Sequence, residues 1–102
     1  MKPEKHVIIT VRIDVAAEME DELNRWYDEE HMPNLLAVPG VLSGKRAVNT
    51  GEGIKFIAIY EHANIDVQHT EAYRMAVETE WTQKMKPHFL KLERDVYGVI
   101  GC

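Results

Sequence analysis

The sequence is short of cysteine, of long apolar runs and of positive charge, and each shortage closes off a class of function. Its single cysteine, Cys102, is the last residue. No intramolecular disulfide can form, and a zinc site built from several cysteines is excluded. The longest apolar run is five residues, Phe56 to Tyr60, against the ~20 that a membrane-spanning helix needs. The opening Met1-Lys2-Pro3-Glu4-Lys5-His6 leads into no apolar core before a cleavage site, so no secretory signal is expected. A cytoplasmic protein with no membrane partner is the reading. Lys and Arg number 12 against 17 Asp and Glu, a formal charge of −5. A net anion is a poor clamp for a phosphate backbone, so no nucleic-acid partner is expected. Gly51 and Gly53 share a turn that no helix follows, so they form no phosphate loop. His31, His62, His69 and His88 are scattered without a His-x-x-x-His pair, and no metal site is expected. No Ser-His-Asp order suggests a nucleophilic triad.

What remains is an ordinary globular composition, 45% hydrophobic and 28% charged over 102 residues, which fits one domain spanning residues 1–102. His6 to Asp14 is rich in β-branched residues and reads as a strand. One face carries Val7, Ile9, Val11 and Ile13. The other carries His6, Ile8, Thr10 and Arg12. Ala16 to about Leu36 reads as a helix, with Glu18, Glu20, Asp21 and Glu22 crowding its positive end. Its apolar stripe is Met19, Leu23 and Trp26, with Tyr27 beside it. Pro33 is expected to end or kink it, and Pro39-Gly40 to turn the chain. Val41 to Asn49 is a weaker strand. Asn49 to Gly53 supplies hairpin chemistry, and Ile54 to His62 is a strong strand. A second helix is expected over Val67 to Thr79, capped by Asn64 or Asp66, with a further helical turn over Trp81 to Lys86. A last strand covers Lys91 to Ile100. The order β-α-β-β-α-β predicts an α+β, ferredoxin-like subunit: a four-stranded antiparallel sheet with both helices on one face. The apolar face of the first strand is expected to meet a second subunit. The turn at Gly51 to Gly53 is expected to tolerate change, and Pro39-Gly40 not to.

Chemistry concentrates between Asn24 and Val41. On a helical wheel Met19, Leu23, Trp26 and Glu30 fall on one face, so Glu30 continues an apolar stripe. Tyr27 and His31 are four residues apart and adjacent. A phenol, an imidazole and a carboxylate thus converge near the end of the first helix. His6 and Thr10 share a strand face that would line a pocket if it met the helices. Tyr60 is expected to line that pocket from the third strand, and His62 to be solvated at its end. Trp81 is expected to be packed, with a partner for its indole N–H.

These residues resemble a known group. Trp26-Tyr27-x-x-x-His31-x-Pro33, followed by Pro39-Gly40, is similar to the EthD-like members of the dimeric α+β barrel superfamily. Lys5-His6-Val7-Ile8-Ile9 resembles the opening strand of Dabb-type stress-response and polyketide-cyclase barrels, in which a histidine at the matching place lines the pocket. The resemblance covers the whole chain in topology and Trp26 to Val41 in motif. It implies a homodimer, a dimeric α+β barrel whose two sheets face each other, with a small apolar pocket between sheet and helices in each subunit. His31 matches the helix-one histidine of the EthD-like proteins and His6 the strand-one histidine of the Dabb-like cyclases. Holding both is a departure from either pattern.

The function expected is a small cofactor-independent lyase, cyclase or isomerase acting by proton transfer on a compact apolar carbonyl or aromatic metabolite. His31 is the expected general acid or base, its ordinary pKa near ~6.5 suiting proton transfer at neutral pH. Glu30 or Asp28 would orient it. Tyr27 and Tyr60 would donate hydrogen bonds to an enolate oxygen. Trp26 and Trp81 would shape the walls, with His6 and Thr10 as polar lining. Two other readings stand beside it: a ligand-binding accessory dimer without catalysis, and a haem- or oxygen-handling monooxygenase.

Overall fold

Two runs of β-branched residues form the centre of the sheet. The computed structural model describes residues 5–101. In it β1 (Val7–Val15) lies between β3 (Phe56–His62) and β4 (Phe89–Gly98), and β2 (Val41–Val48) is the edge strand beside β3. All three pairings are antiparallel, in the order β2-β3-β1-β4. With helical segments after β1 and after β3, this is the ferredoxin-like βαββαβ arrangement. Successive residues of a strand point to opposite faces. Val7, Ile9, Ile13 and Val15 are buried, and the core they join includes Leu23, Trp26, Leu35 and Met85 from the helices. The apolar face of β1 therefore meets the chain's own helices. The expectation that it meets a second subunit is corrected: the driest strand face takes the dry layer, where burial stabilises most. The mixed face carries Ile8, Thr10 and Arg12, with Ile57, Ile59 and Glu61 paired beside them. Among the described residues no helix packs on it.

The first helical rod is continuous but not uniform. A 3₁₀ turn at Ala17–Met19 leads into α1 (Glu20–Trp26), a π-helical turn at Tyr27–His31 follows, and α2 (Met32–Leu36) completes it. Glu20, Asp21 and Glu22 occupy the first turn of α1, where the helix dipole favours anions. In the π turn the Met32 N–H donates to the Tyr27 carbonyl, five residues back. Pro33 does not end the rod. It sits in the first turn of α2, where its missing N–H costs nothing. Widening the preceding turn moves the carbonyl that a proline ring would otherwise strike.

The second helical segment is more broken than the sequence suggests. A 3₁₀ turn at Val67–His69 precedes α3 (Glu71–Val77), α4 (Glu80–Met85) follows, and Lys86–His88 forms another 3₁₀ turn. The caps are Thr70 and Thr79, whose side chains accept from the Tyr73 and Thr82 backbone N–H groups. Asn64 and Asp66 are not the caps. β4 begins at Phe89 and ends at Gly98, two residues earlier than expected at each end. Gly40 turns the chain into β2 at φ 95°, a conformation that L side chains rarely adopt. Just beyond it, β2 carries a bulge. Val41 pairs with His62 but Ser43 with Glu61, so Leu42 is an extra residue. The bulge reverses the facing of all that follows, turning Gly44, Arg46 and Val48 toward the helices.

Candidate functional site

The π turn decides what reaches the sheet. With i→i+5 bonding, a residue five along stands over the one before it, and the His31 ring stacks on Trp26 at 4.2 Å between centroids, 21° from parallel. Tyr27 meets both rings edge-on, at 4.8 Å from Trp26 and 5.2 Å from His31. All three are buried. Together with Tyr60 of β3 they line a cavity of about 370 Å³ between helices and sheet, closed on other sides by Tyr73 and Phe89. The sequence-predicted Trp26, Tyr27, His31 and Tyr60 are thus brought together.

Four others are not. Glu30 leaves the stripe, because the added backbone residue of the π turn rotates it away. Its carboxylate accepts a 2.7 Å hydrogen bond from the Thr79 hydroxyl, and it borders a second, more open cleft along with Trp81. Trp81 is half-buried there and donates its indole N–H to Glu22 at 3.1 Å. His6 and Thr10 lie on the opposite face of the sheet. His6 is exposed and pairs with Glu61 at 2.6 Å, and Thr10 sits between Ile59 and Asp95. The pocket lining expected of these two is corrected by the facing of β1.

Several residues in or beside the site escaped the sequence reading. Arg46 reaches inward from β2 and stacks on Tyr27, its guanidinium carbon 4.1 Å from the ring centroid. It donates to the Asn24 side chain at 2.9 Å, while its Nε and second terminal nitrogen are buried without partners. His62, expected to be solvated, is 1% exposed and meets Tyr73 edge-on at 5.7 Å. Arg94 of β4 stands at the cavity mouth and donates to Gln68 at 2.8 Å. Tyr73 and Arg94 were legible only as members of a helix and a strand.

The polar atoms at the cavity are left available. His31 Nδ1, the Tyr60 hydroxyl and Trp26 Nε1 are buried with no protein partner, a condition that costs stability unless a ligand or water answers it. Burial, with the nearby Arg46 charge adding to it, lowers the His31 pKa to about 4. At neutral pH the imidazole is uncharged, contrary to the expectation of a group poised near 6.5. Burial likewise raises Tyr27 to about 12, against a smaller downward pull from Arg46. Tyr60 is raised as well, first by burial. Both phenols keep their protons and remain hydrogen-bond donors.

By sequence, neither a protein-family model nor a curated protein matches the chain. Solved structures do match in shape. One is a Dabb family protein with a ferredoxin-like fold from Mesorhizobium loti, 17% identical, with a TM-score of 0.69 over 96% of this chain and 100% of that one. Another is a dimeric ferredoxin-like protein from an uncultured marine organism, 17% identical, TM-score 0.72, over 96% and 90%. A third is a hydroxynitrile lyase from Passiflora edulis, 12% identical, TM-score 0.72, over 99% and 98%. The chain therefore has the ferredoxin-like α+β fold that is seen in Dabb-type and dimeric ferredoxin-like proteins.

Proposed function

We propose that the cavity is a proton-transfer site for a small carbonyl compound with an apolar or aromatic body, working without a bound cofactor. The observation that carries this reading is the junction of a neutral buried imidazole and two protonated phenols around one apolar cavity, His31 with Tyr27 and Tyr60. The neutral imidazole accepts a proton from the carbon beside the carbonyl. The electron pair moves onto the carbonyl oxygen, where the tyrosine hydroxyls donate hydrogen bonds to the developing enolate. Returning the proton to another carbon gives an isomerisation, and expelling a group from the neighbouring carbon gives an elimination. Glu30 has no part in this chemistry. It holds the π turn to the α3–α4 junction through Thr79. The likeness in shape to a hydroxynitrile lyase supports a small-molecule reaction on this fold.

The same reading includes a homodimer formed through the open sheet face. That face carries Ile8, Ile57 and Ile59 at its centre without cover from the helices, and similar structures are described as dimeric ferredoxin-like proteins.

The test follows α-proton exchange into D₂O by NMR, over a panel of small aryl ketones that includes phenylacetone. Exchange catalysed by the wild-type protein should fall about 10²–10⁴-fold in His31→Ala, the usual worth of a positioned general base. Tyr60→Phe should lower it by a smaller factor. Catalysed exchange that His31→Ala leaves intact would overturn the assignment. Binding without exchange above the buffer rate would instead favour a ligand-binding protein.

A further inference from the structure

The chain is acidic as a whole, yet its cavity is not. Of the residues that line it, none is an aspartate or glutamate, and the two formally charged ones are Lys86 and Arg94 at the mouth. The arginines divide in the same way. Arg12, Arg25 and Arg74 each hold a carboxylate in an ion pair, with Glu93, Glu22 and Glu71 respectively. Among the described residues Arg46 and Arg94 have no carboxylate within 4 Å; Arg94 lines this cavity, and Arg46 stands behind it against Tyr27. Arg94 is held in place by neutral groups, Gln68 at 2.8 Å and the Tyr73 hydroxyl at 3.5 Å, so its charge is oriented but not answered. Arg46 lies behind the Tyr27 ring with two buried nitrogens unpartnered. A low-dielectric cleft with cations at its mouth focuses a positive potential. A guanidinium without a partner is suited to a carboxylate, which it can bind through two parallel hydrogen bonds.

We propose that the ligand is an anion, a small aryl or alkyl carboxylate whose apolar body fills the cavity and whose carboxylate sits at the mouth against Arg94 and Lys86. The volume of about 370 Å³ lies near the lower end of the roughly 300–1,000 Å³ typical of small-molecule sites, room for one ring and a short chain. The assignment rests on the reading of the cavity as the reactive site and adds the substrate's charge to it. It also supplies what the neutral His31 lacks. An anion bound nearby favours the protonated imidazole and so raises its basicity toward neutral pH.

Cinnamate and cinnamamide separate the charge from the shape. Calorimetric titration of the wild-type protein should show cinnamate binding about tenfold tighter or more, the scale of a hydrogen bond to a charged group. Added salt should weaken cinnamate and spare the amide. Arg94→Gln should bring cinnamate close to the amide and leave the amide within about twofold, where ~1.4 kcal/mol would mark a full tenfold change. The NMR titration of His31 should move upward with cinnamate and stay in place with the amide. Equal affinity for the two ligands would overturn the carboxylate assignment, as would a preference that survives both Arg94→Gln and Lys86→Gln. In either case the proton-transfer reading would stand, because it is judged separately on neutral phenylacetone. Failure of both ligands to bind would overturn the assignment. It would remove the cavity reading only if phenylacetone exchange were also lost.

Discussion

His31 is the residue on which stability and chemistry meet. Its imidazole titrates at about 4 in the folded chain and near ~6.5 once unfolded. As pH falls from 7, the unfolded chain binds the proton first, so folding loses stability down to about pH 4 and no further below it. The difference is worth on the order of 3 kcal/mol. His31→Phe keeps a ring against Trp26 and removes the titration. Urea unfolding at pH 7 and pH 4.5 should show a smaller acid loss in the variant than in the wild type. Equal losses would mean that the ring is not buried neutral. In the proposed mechanism the same proton would govern activity: kcat/KM should rise through about pH 4 and stay flat across neutral pH. His31 itself was legible in the sequence, from its spacing to Tyr27 and the nearby Pro33. Its basicity was not, because that depends on burial and on Arg46, a residue from a strand whose facing the sequence concealed.

The two elements that misled a regular reading, the first helical rod and β2, are the two that depart from regular periodicity. Alternation located β1 and β3, and turn residues located the β2–β3 hairpin, because those signals are local. A π turn and a β-bulge each add one residue, and each re-aims everything beyond it. An α-helical wheel places Glu30 on the apolar stripe, whereas the π turn delivers His31 to the cavity. Strict alternation from Val41 sends Arg46 outward, whereas the extra Leu42 sends it inward. Both helical segments also repeat one ion-pair pattern, Glu22-Arg25-Glu29 and Glu71-Arg74-Glu78, which needs only helical spacing. The turns on either side of β2 can be tested at three glycines. A Cβ on Gly40 would stand 2.5 Å from a Val67 methyl group at φ 95°. Gly53 has φ 104° with no tighter neighbour than 3.4 Å, and Gly51 has ordinary φ and space. Alanine at Gly40 should therefore cost about 2 kcal/mol or more, at Gly53 about 1, and at Gly51 under about 0.5, by the scale of left-handed backbone strain. Denaturant midpoints would rank the three. The sequence expectation of a uniformly tolerant Gly51–Gly53 turn gives a different order, with Gly53→Ala as mild as Gly51→Ala.

At the scale of the whole molecule the chain is a slab. Its radius of gyration is 14.3 Å and its shortest dimension 18 Å, against a radius of about 13 Å for a rounded domain of this size. Two layers account for this, one of helices and one of sheet, with the second sheet face open. That face is not the apolar one that the sequence pattern of β1 suggested. Three isoleucines lie at its centre, and an ion pair of Arg12 with Glu93 and a hydrogen bond between His6 and Glu61 lie toward its borders. An apolar centre with a polar rim is the anatomy of an interface, and a second copy presenting the same face satisfies both zones by symmetry. Ile59 is the place to test it, since it pairs with Thr10 of β1 on one side and Lys45 of β2 on the other. A carboxylate there would be buried opposite its own copy, at a cost that no dimer of this kind could absorb. Light scattering should give a mass near twice 11.8 kDa for the wild type and near 11.8 kDa for Ile59→Asp. Because the cavity lies between the helices and the other side of the sheet, the monomeric variant should still bind cinnamate. An Ile59→Asp protein that kept the wild-type mass would move the contact elsewhere. One that became monomeric and lost the ligand would show that the second copy completes the site.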